Sequence, residues 1–168
     1  MYVMFDGGLR SSELVGKERR NDKIEGGLRL NQVDWNSGKM RIGNAKGGKD
    51  RYVWLNETAL KAVIAWIGHR PAGEADLIFT TLQGGKIDNR YVRAMIKRYA
   101  KRAGIEKDIH SHTLRHTFGT DLYRETKNLR MTQKALGHAH ISTTEIYTHI
   151  VDDELEEGMK NFRNGDGE

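Results

Sequence analysis

The sequence contains no cysteine and only one proline in 168 residues. Without cysteine, the chain forms no disulfide, offers no thiolate to a metal ion and has no cysteine nucleophile. It also lacks any apolar run near the roughly 20 residues that a helix needs to cross a bilayer, and its first residues do not follow the pattern of a secretion signal. We therefore expect a cytoplasmic protein from a reducing compartment.

The charges are divided unevenly along the chain. Charged residues make up 30% and hydrophobic residues 37% of a chain whose length suits one domain with a sizeable core. Residues 151–168 contain seven acidic and two basic residues, so the first 150 residues carry 26 basic and 16 acidic residues, a net charge of +10. A basic body with an acidic tail favours a polyanionic partner such as nucleic acid, although a solvated basic surface would have the same composition.

Hydrophobic periodicity predicts a mainly α-helical α+β domain with a small three-stranded antiparallel sheet. Residues 39–43 and 51–55 alternate polar and apolar side chains around a glycine-bearing turn, which is typical of a β-hairpin, and a third strand is expected near Leu28–Val33. The polar segment 15–27 is predicted to be an exposed loop. Helices are expected at 56–68, 88–103, 111–126, 130–137, 141–149 and 153–163.

The helix predicted over 88–103 has two distinct faces. An apolar stripe of Val92, Met95, Ile96, Tyr99 and Ala103 is expected to face the core. The opposite face carries a basic stripe that fits either DNA contact or ordinary solvation. Its members are Arg90, Arg93, Lys97 and Lys101.

The segment His112–Thr113–Leu114–Arg115–His116 opens another predicted helix, with Ser111 as its expected N-cap. His112 and Arg115 are three residues apart, and a helix N-terminus that carries such a pair suits a phosphate group. His112 and His116 also have the i, i+4 spacing of zinc ligands, but the helix lacks the glutamate that a metalloprotease places after the first histidine. We expect neither a metal nor another cofactor.

Two more segments complete an ordered set of motifs. Leu136–Gly137–His138 reads as a helix that ends at a glycine, and Tyr147 follows nine residues after His138. Taken with Gly8–Leu14 (GLRSSEL), Lys46–Arg51 (KGGKDR) and HTLRH, these motifs closely resemble the catalytic domain of the tyrosine recombinase (phage integrase) family. The resemblance extends over about residues 5–150.

The resemblance implies a role for each motif residue. Arg10 and Arg115 correspond to the arginines that clamp the scissile phosphate, and their forked donors suit phosphate oxygens. Lys46 corresponds to the lysine that protonates the departing 5′ oxygen, with Lys49 as the alternative in the same turn. His112 would help to accept the tyrosine proton, and His138 would donate a hydrogen bond to the phosphate. Glu13 would support the histidine or arginine and would not act as a catalytic acid. Tyr147 would attack phosphorus to form a 3′-phosphotyrosine.

The same resemblance implies double-stranded DNA as the partner and a homotetramer on paired DNA sites, in the cytoplasm and associated with the nucleoid. Residues 1–151 would be the catalytic domain and 152–168 an acidic C-terminal helix or tail, without the leading helices and N-terminal core-binding domain of the family. A non-catalytic DNA-binding remnant and a type IB topoisomerase-like enzyme are the alternatives. The residues expected to contact DNA lie in the hairpin and on the basic stripe: Arg41, Lys49, Arg51, Arg90, Arg93, Lys97 and Lys101.

Overall fold

The structure is a computed structural model that describes residues 1–18, 24–43, 50–71, 76–137 and 159. Residues 1–137 form one compact unit, and residues 138–168 form a second. The helices predicted at 141–149 and 153–163, together with Lys46, Lys49, His138 and Tyr147, lie outside the described residues, except for Met159. No helix in the described ranges is long and apolar enough to cross a membrane.

Within the first unit, helices surround a short antiparallel hairpin. The chain begins with two short helices, and a 3₁₀ turn at Leu30–Gln32 leads into the hairpin. The longer helices follow the hairpin. The elements in order are α1 (Tyr2–Gly7), α2 (Ser11–Val15), β1 (Lys17–Glu18), β2 (Ile24–Glu25), β3 (Lys39–Ile42), β4 (Arg51–Trp54), α3 (Glu57–His69), α4 (Asn89–Arg102), α5 (Ser111–Thr126) and α6 (Leu129–Leu136).

The hairpin has the predicted position. Lys39 pairs with Trp54 and Ile42 with Arg51 in antiparallel β3 and β4. Side chains alternate strictly between the two faces of β4: Arg51 and Val53 are buried, whereas Tyr52 and Trp54 are exposed. This alternation is the period of a half-buried strand, so one face of the hairpin belongs to the core.

The predicted third strand is wrong, because within the described part of the chain this sheet consists of β3 and β4. The segment Leu28–Val33 divides its backbone contacts among three neighbours: Leu28 N donates to the Leu14 carbonyl, Ile78 N donates to the Leu28 carbonyl, and Val33 forms a single bridge with Met40. A 3₁₀ turn between these contacts prevents a continuous ladder. The apolar residues here are therefore core contacts of a connector.

The described parts of the segment 15–27 contain regular structure in place of the predicted exposed loop. Val15 is only 2% exposed and belongs to α2. Beyond it, the strands β1 and β2 pair antiparallel, with Lys17 opposite Glu25.

The long helices agree with the predicted bounds but differ in two details. In α4 the core stripe is Val92, Ile96 and Ala100, whereas Tyr99 is 44% exposed, with Arg98 and Arg102 each within 6 Å of its ring. The prediction of Tyr99 and Ala103 as core residues was therefore wrong. The N-cap of α5 is His110 rather than Ser111, because its imidazole Nδ1 accepts a hydrogen bond from Thr113 N.

The core lies where α1, α3, α4 and the inner face of the hairpin meet. Met4, Leu9, Met40, Ile78 and Ile96 are fully buried there. The first helix packs against α5, α3 and β4, so the loop that follows α1 is held beside α5. This packing brings Arg10 close to Arg115.

Candidate active site

The site begins at the N-terminus of α2, where Arg10 and Glu13 bind each other. The Glu13 carboxylate accepts a hydrogen bond from Arg10 N at 2.7 Å and one from Arg10 Nη1 at 2.9 Å. The first bond caps the helix, as glutamate commonly does three residues after an N-cap. The Arg10 side chain remains 40% exposed, so it is held by Glu13 and still accessible to a ligand.

Arg51, the first residue of β4, binds the same carboxylate. Its Nη1 donates to Glu13 Oε1 at 2.9 Å, and its Nη2 donates to Oε2 at 2.8 Å. Its Nε donates to the Ala135 carbonyl at 2.8 Å. This is the bidentate geometry in which arginine binds a carboxylate most strongly, and the side chain is only 9% exposed.

Arg115 is buried on α5 beside the same carboxylate. Its guanidinium donates hydrogen bonds to the carbonyls of Gly8 and Leu136, and its Nη1 lies 3.9 Å from Glu13 Oε2. Arg51 and Arg115 therefore hold successive carbonyls, Ala135 and Leu136, at the C-terminus of α6. Cations are favoured there by the helix dipole and by carbonyls that lack intrahelical partners.

The neighbouring arginines lower the pKa of Glu13. Burial alone would raise this pKa. The hydrogen bonds and charge of Arg51, joined by the amide and charge of Arg10, outweigh burial and lower the pKa to about 2. Glu13 is therefore an anion at neutral pH and an unsuitable proton donor.

His112 lies in the first turn of α5. Its side chain is exposed, and its ring stands edge-on to that of His110 at a centroid distance of 6.1 Å. It lines a cavity of about 390 Å³ along α5, together with Thr113, His116, Thr117, Thr120, Asp121 and Arg124. Although His112 and Arg115 are three residues apart, one is exposed and the other buried. Across the described residues, no three histidine, aspartate or glutamate side chains are grouped to hold a metal ion.

The described residues that precede His138 and follow Lys46 in the sequence contact each other in this cluster. Gly137, which precedes His138, ends α6 in the left-handed conformation with φ 63°. A Cβ at this position would lie 2.8 Å from Arg51 Cδ, so glycine permits the close approach of Arg51. Lys46 belongs to the segment that joins β3 to β4, and Arg51 begins β4.

The residues predicted to contact DNA fall into two groups. The basic stripe of Arg90, Arg93, Lys97 and Lys101 is exposed on α4, and Lys97 is paired with Asp108 at 3.2 Å. Arg41 is also exposed, 3.9 Å from Asp50. Arg51 differs from all of these, because it is buried and its guanidinium donates three hydrogen bonds, two to Glu13 and one to Ala135.

Arg51 is the site residue whose place the sequence reasoning missed. The signal was present in the alternation of β4: Arg51 has the same parity as Val53 and Leu55, which are buried. An arginine on the buried face of a strand requires an anionic partner. That partner is Glu13, far away in sequence.

The sequence model of the phage integrase family matches residues 1–154. The tyrosine recombinase XerD of Ralstonia nicotianae (strain ATCC BAA-1114 / GMI1000) is 38% identical over 161 residues, which cover 91% of this chain and 48% of that protein.

Two solved structures are also similar. The crystal structure of XerA recombinase has a TM-score of 0.77 and 32% identity over 96% of this chain and 56% of that chain. A post-cleavage complex of the XerH site-specific recombinase with a palindromic difH substrate has a TM-score of 0.71 and 30% identity, and covers 94% of this chain and 43% of that one. The chain thus spans about half the length of these relatives.

Proposed function

Because this chain belongs to the phage integrase family, we propose that it is the catalytic part of a site-specific DNA recombinase. The reaction cleaves and rejoins DNA strands through a 3′-phosphotyrosine. The observation that carries the proposal is the meeting of Arg10 and Arg115 at one carboxylate, although one follows α1 and the other lies in α5. XerH, a relative, was solved bound to its DNA substrate after cleavage.

Under this proposal, each residue of the site has one task in the reaction. The Tyr147 oxygen attacks phosphorus while the bond to the 5′ oxygen breaks, which leaves a 3′-phosphotyrosine and a free 5′ hydroxyl. His112 accepts the tyrosine proton, and Lys46 supplies a proton to the departing oxygen. Rejoining reverses these transfers, so the cycle needs no metal, oxidant or nucleotide.

Arg10 and Arg115 stabilise the charge that accumulates on the phosphate oxygens, with His138 as a further donor. Such donors are most effective when they are oriented before the reaction begins. The hydrogen bonds of Arg115 to Gly8 and Leu136, and those of Arg10 to Glu13, supply this orientation. The exposed basic stripe on α4, with Arg41 and Lys49 of the hairpin, supplies phosphate contacts along the duplex.

The protein with this activity works on DNA in the cytoplasm, in association with the nucleoid. Strand exchange joins two DNA sites with four strands to be cut, so we propose a tetramer on paired sites. Sedimentation of the protein with and without cleavable duplex measures this stoichiometry directly.

The decisive experiment detects a covalent protein–DNA adduct on a denaturing gel. The complete gene product is incubated with nicked suicide duplexes tiled across the DNA that flanks its own gene, beside Tyr147→Phe and the matched control Tyr99→Phe. We expect an adduct with the wild type and Tyr99→Phe, but none with Tyr147→Phe. Salt-sensitive DNA binding without an adduct would favour the non-catalytic alternative, and no binding would contradict the DNA proposal itself.

A further inference from the structure

Three guanidinium groups surround one carboxylate in this structure, but the proposed chemistry uses only two of them. Arg10 and Arg115 are assigned to the phosphate, whereas Arg51 donates two hydrogen bonds to Glu13 and one to Ala135. We propose that Arg51 is a positioning residue, which fixes Glu13 and through it the two arginines that clamp the phosphate. This inference rests on the proposed recombinase function.

The first step of the argument concerns charge. Arg10, Arg51 and Arg115 with Glu13 form a cluster of net charge +2, and the cluster without Arg51 would carry +1. A carboxylate beside the phosphate-binding arginines weakens their attraction for an anion. Because Arg51 neutralises Glu13 by a bidentate pair at 2.8 and 2.9 Å, the carboxylate orients Arg10 without cancelling the positive field of the site.

The second step concerns geometry. Glu13 Oε1 accepts hydrogen bonds from both Arg10 Nη1 and Arg51 Nη1, so the position of one arginine depends on the other. Without Arg51, the carboxylate would keep its two hydrogen bonds from Arg10 but lose the two that fix it against β4, so its position relative to Arg115 would be less constrained. A displacement of about 1 Å in a catalytic group can cost about 100-fold in rate.

The third step concerns connectivity. Arg51 Nε binds the Ala135 carbonyl, and Arg115 binds the next carbonyl, that of Leu136. Arg51 therefore ties the strand that follows Lys46 to the helix end that precedes His138, and both to α2. Lysine cannot reproduce this arrangement, because a single ammonium lacks the planar fork that spans both carboxylate oxygens and a third acceptor.

The experiment compares single-turnover rates of adduct formation on the nicked duplex that the wild type cleaves. The variants are Arg51→Lys, Glu13→Gln, the double variant, and the control Val53→Ala, which alters the buried face of the same strand outside the cluster. A second duplex carries a methylphosphonate at the cleaved position. This diester is neutral, so its reaction depends less on aligned cations.

We expect Arg51→Lys to lower the rate on the ordinary phosphate about 100-fold and on the methylphosphonate less than about tenfold. The double variant should be no slower than the slower single variant, because both changes break one unit. If Arg51 had only a structural role, Arg51→Lys would lower the rates on both substrates equally, as expected for any effect of Val53→Ala. If Arg51→Lys does not fold, as judged by circular dichroism, Arg51→Gln takes its place with the same expectations.

Three results would overturn the inference: a rate of Arg51→Lys near that of the wild type, equal defects on the two substrates, or multiplicative effects of the two single changes. Each of these leaves the recombinase function standing, because the wild type still forms its adduct. Absence of a wild-type adduct would instead contradict the proposed function, and the inference with it.

Discussion

The guanidinium of Arg51 and the carboxylate of Glu13 lie in parallel, with Nη1 2.9 Å from Oε1 and Nη2 2.8 Å from Oε2. The pair joins the first turn of α2 to the first residue of β4, and both side chains are nearly buried. Because the pair is formed in the folded state and largely shielded from water, it links the stability of the fold to the protonation of Glu13.

We expect stability to fall in acid because of Glu13. Its pKa is about 2 in the folded protein, below the value of about 4.3 for an unfolded glutamate. The stabilisation is therefore complete above about pH 5 and is lost as the pH falls toward 2. Urea unfolding of the wild type and Glu13→Gln should show that the wild type loses about 2 kcal/mol more between pH 5.5 and 2.5.

The matched control is Glu57→Gln, because Glu57 is exposed and pairs with the equally exposed Lys61 on α3. A surface pair contributes little to stability, so this variant should retain the acid dependence of the wild type. Parallel pH curves for the wild type and Glu13→Gln would contradict the assignment of Glu13 as a buried, paired anion.

We expect Gly8→Ala to destabilise the fold. Gly8 has φ 59°, and a Cβ there would lie 2.3 Å from Phe118 Cδ1. Backbone strain and movement of the ring together should cost about 2–3 kcal/mol of unfolding free energy. The Gly8 carbonyl also accepts a hydrogen bond from Arg115, so the shift would reach the site.

Urea unfolding at neutral pH measures this loss, and Gly68→Ala is the control. Gly68 lies within α3 with no atom near its would-be Cβ, so alanine should stabilise that helix by up to about 1 kcal/mol. A Gly8→Ala protein as stable as the wild type would mean that the turn after α1 adapts at little cost.

Local patterns were sufficient where local interactions determine the structure. The alternation of β3 and β4 predicted the hairpin, and the helix expected from residue 56 does begin there, because the Asn56 side chain caps α3 by accepting a hydrogen bond from Ala59 N. Gly137 likewise ends α6 as predicted. These signals lie within a few residues of the structure that they determine.

The sequence-based predictions failed where contacts between segments far apart in the chain determine the structure. The strand expected near Leu28–Val33 does not form, because the segment divides its backbone contacts among Leu14, residues 76–78 and Met40. Arg51 was read as one more basic residue of a DNA-binding hairpin, because its partner Glu13 is 38 residues away. The motifs predicted Arg10, Glu13 and Arg115 as one site, whereas no local signal identified the carbonyls that orient Arg115.

We expect the basic stripe on α4 to contribute to DNA affinity through phosphate contacts. Replacement of Arg93 and Lys97 by alanine should weaken binding to a duplex and lower the slope of log affinity against log salt by about one unit for each lost contact. Fluorescence anisotropy over a salt series measures this slope. Lys97 forms an ion pair with Asp108, so Arg93→Ala should lower the affinity for DNA more than Lys97→Ala does.

Lys61→Ala is the matched control, because Lys61 is an exposed base on α3 outside the stripe. It should leave the salt slope near that of the wild type. An unchanged slope in the Arg93, Lys97 double variant would mean that the stripe is only a solvated helix face.

We expect Gly137→Ala to report on the contact between the end of α6 and Arg51. Alanine at φ 63° carries backbone strain of about 1 kcal/mol, and its Cβ would also lie 2.8 Å from Arg51 Cδ.

Gly104→Ala provides the comparison, because Gly104 has φ 70° with nothing within 4 Å of its would-be Cβ. Backbone strain alone should therefore account for the loss of unfolding free energy at Gly104, whereas Gly137→Ala should lose about 1 kcal/mol more. In an Arg51→Ala background that excess should disappear, since the contact is gone. If the excess persists there, the glycine is required by some neighbour other than Arg51, and the tie between β4 and the end of α6 is weaker than the hydrogen bond to Ala135 implies.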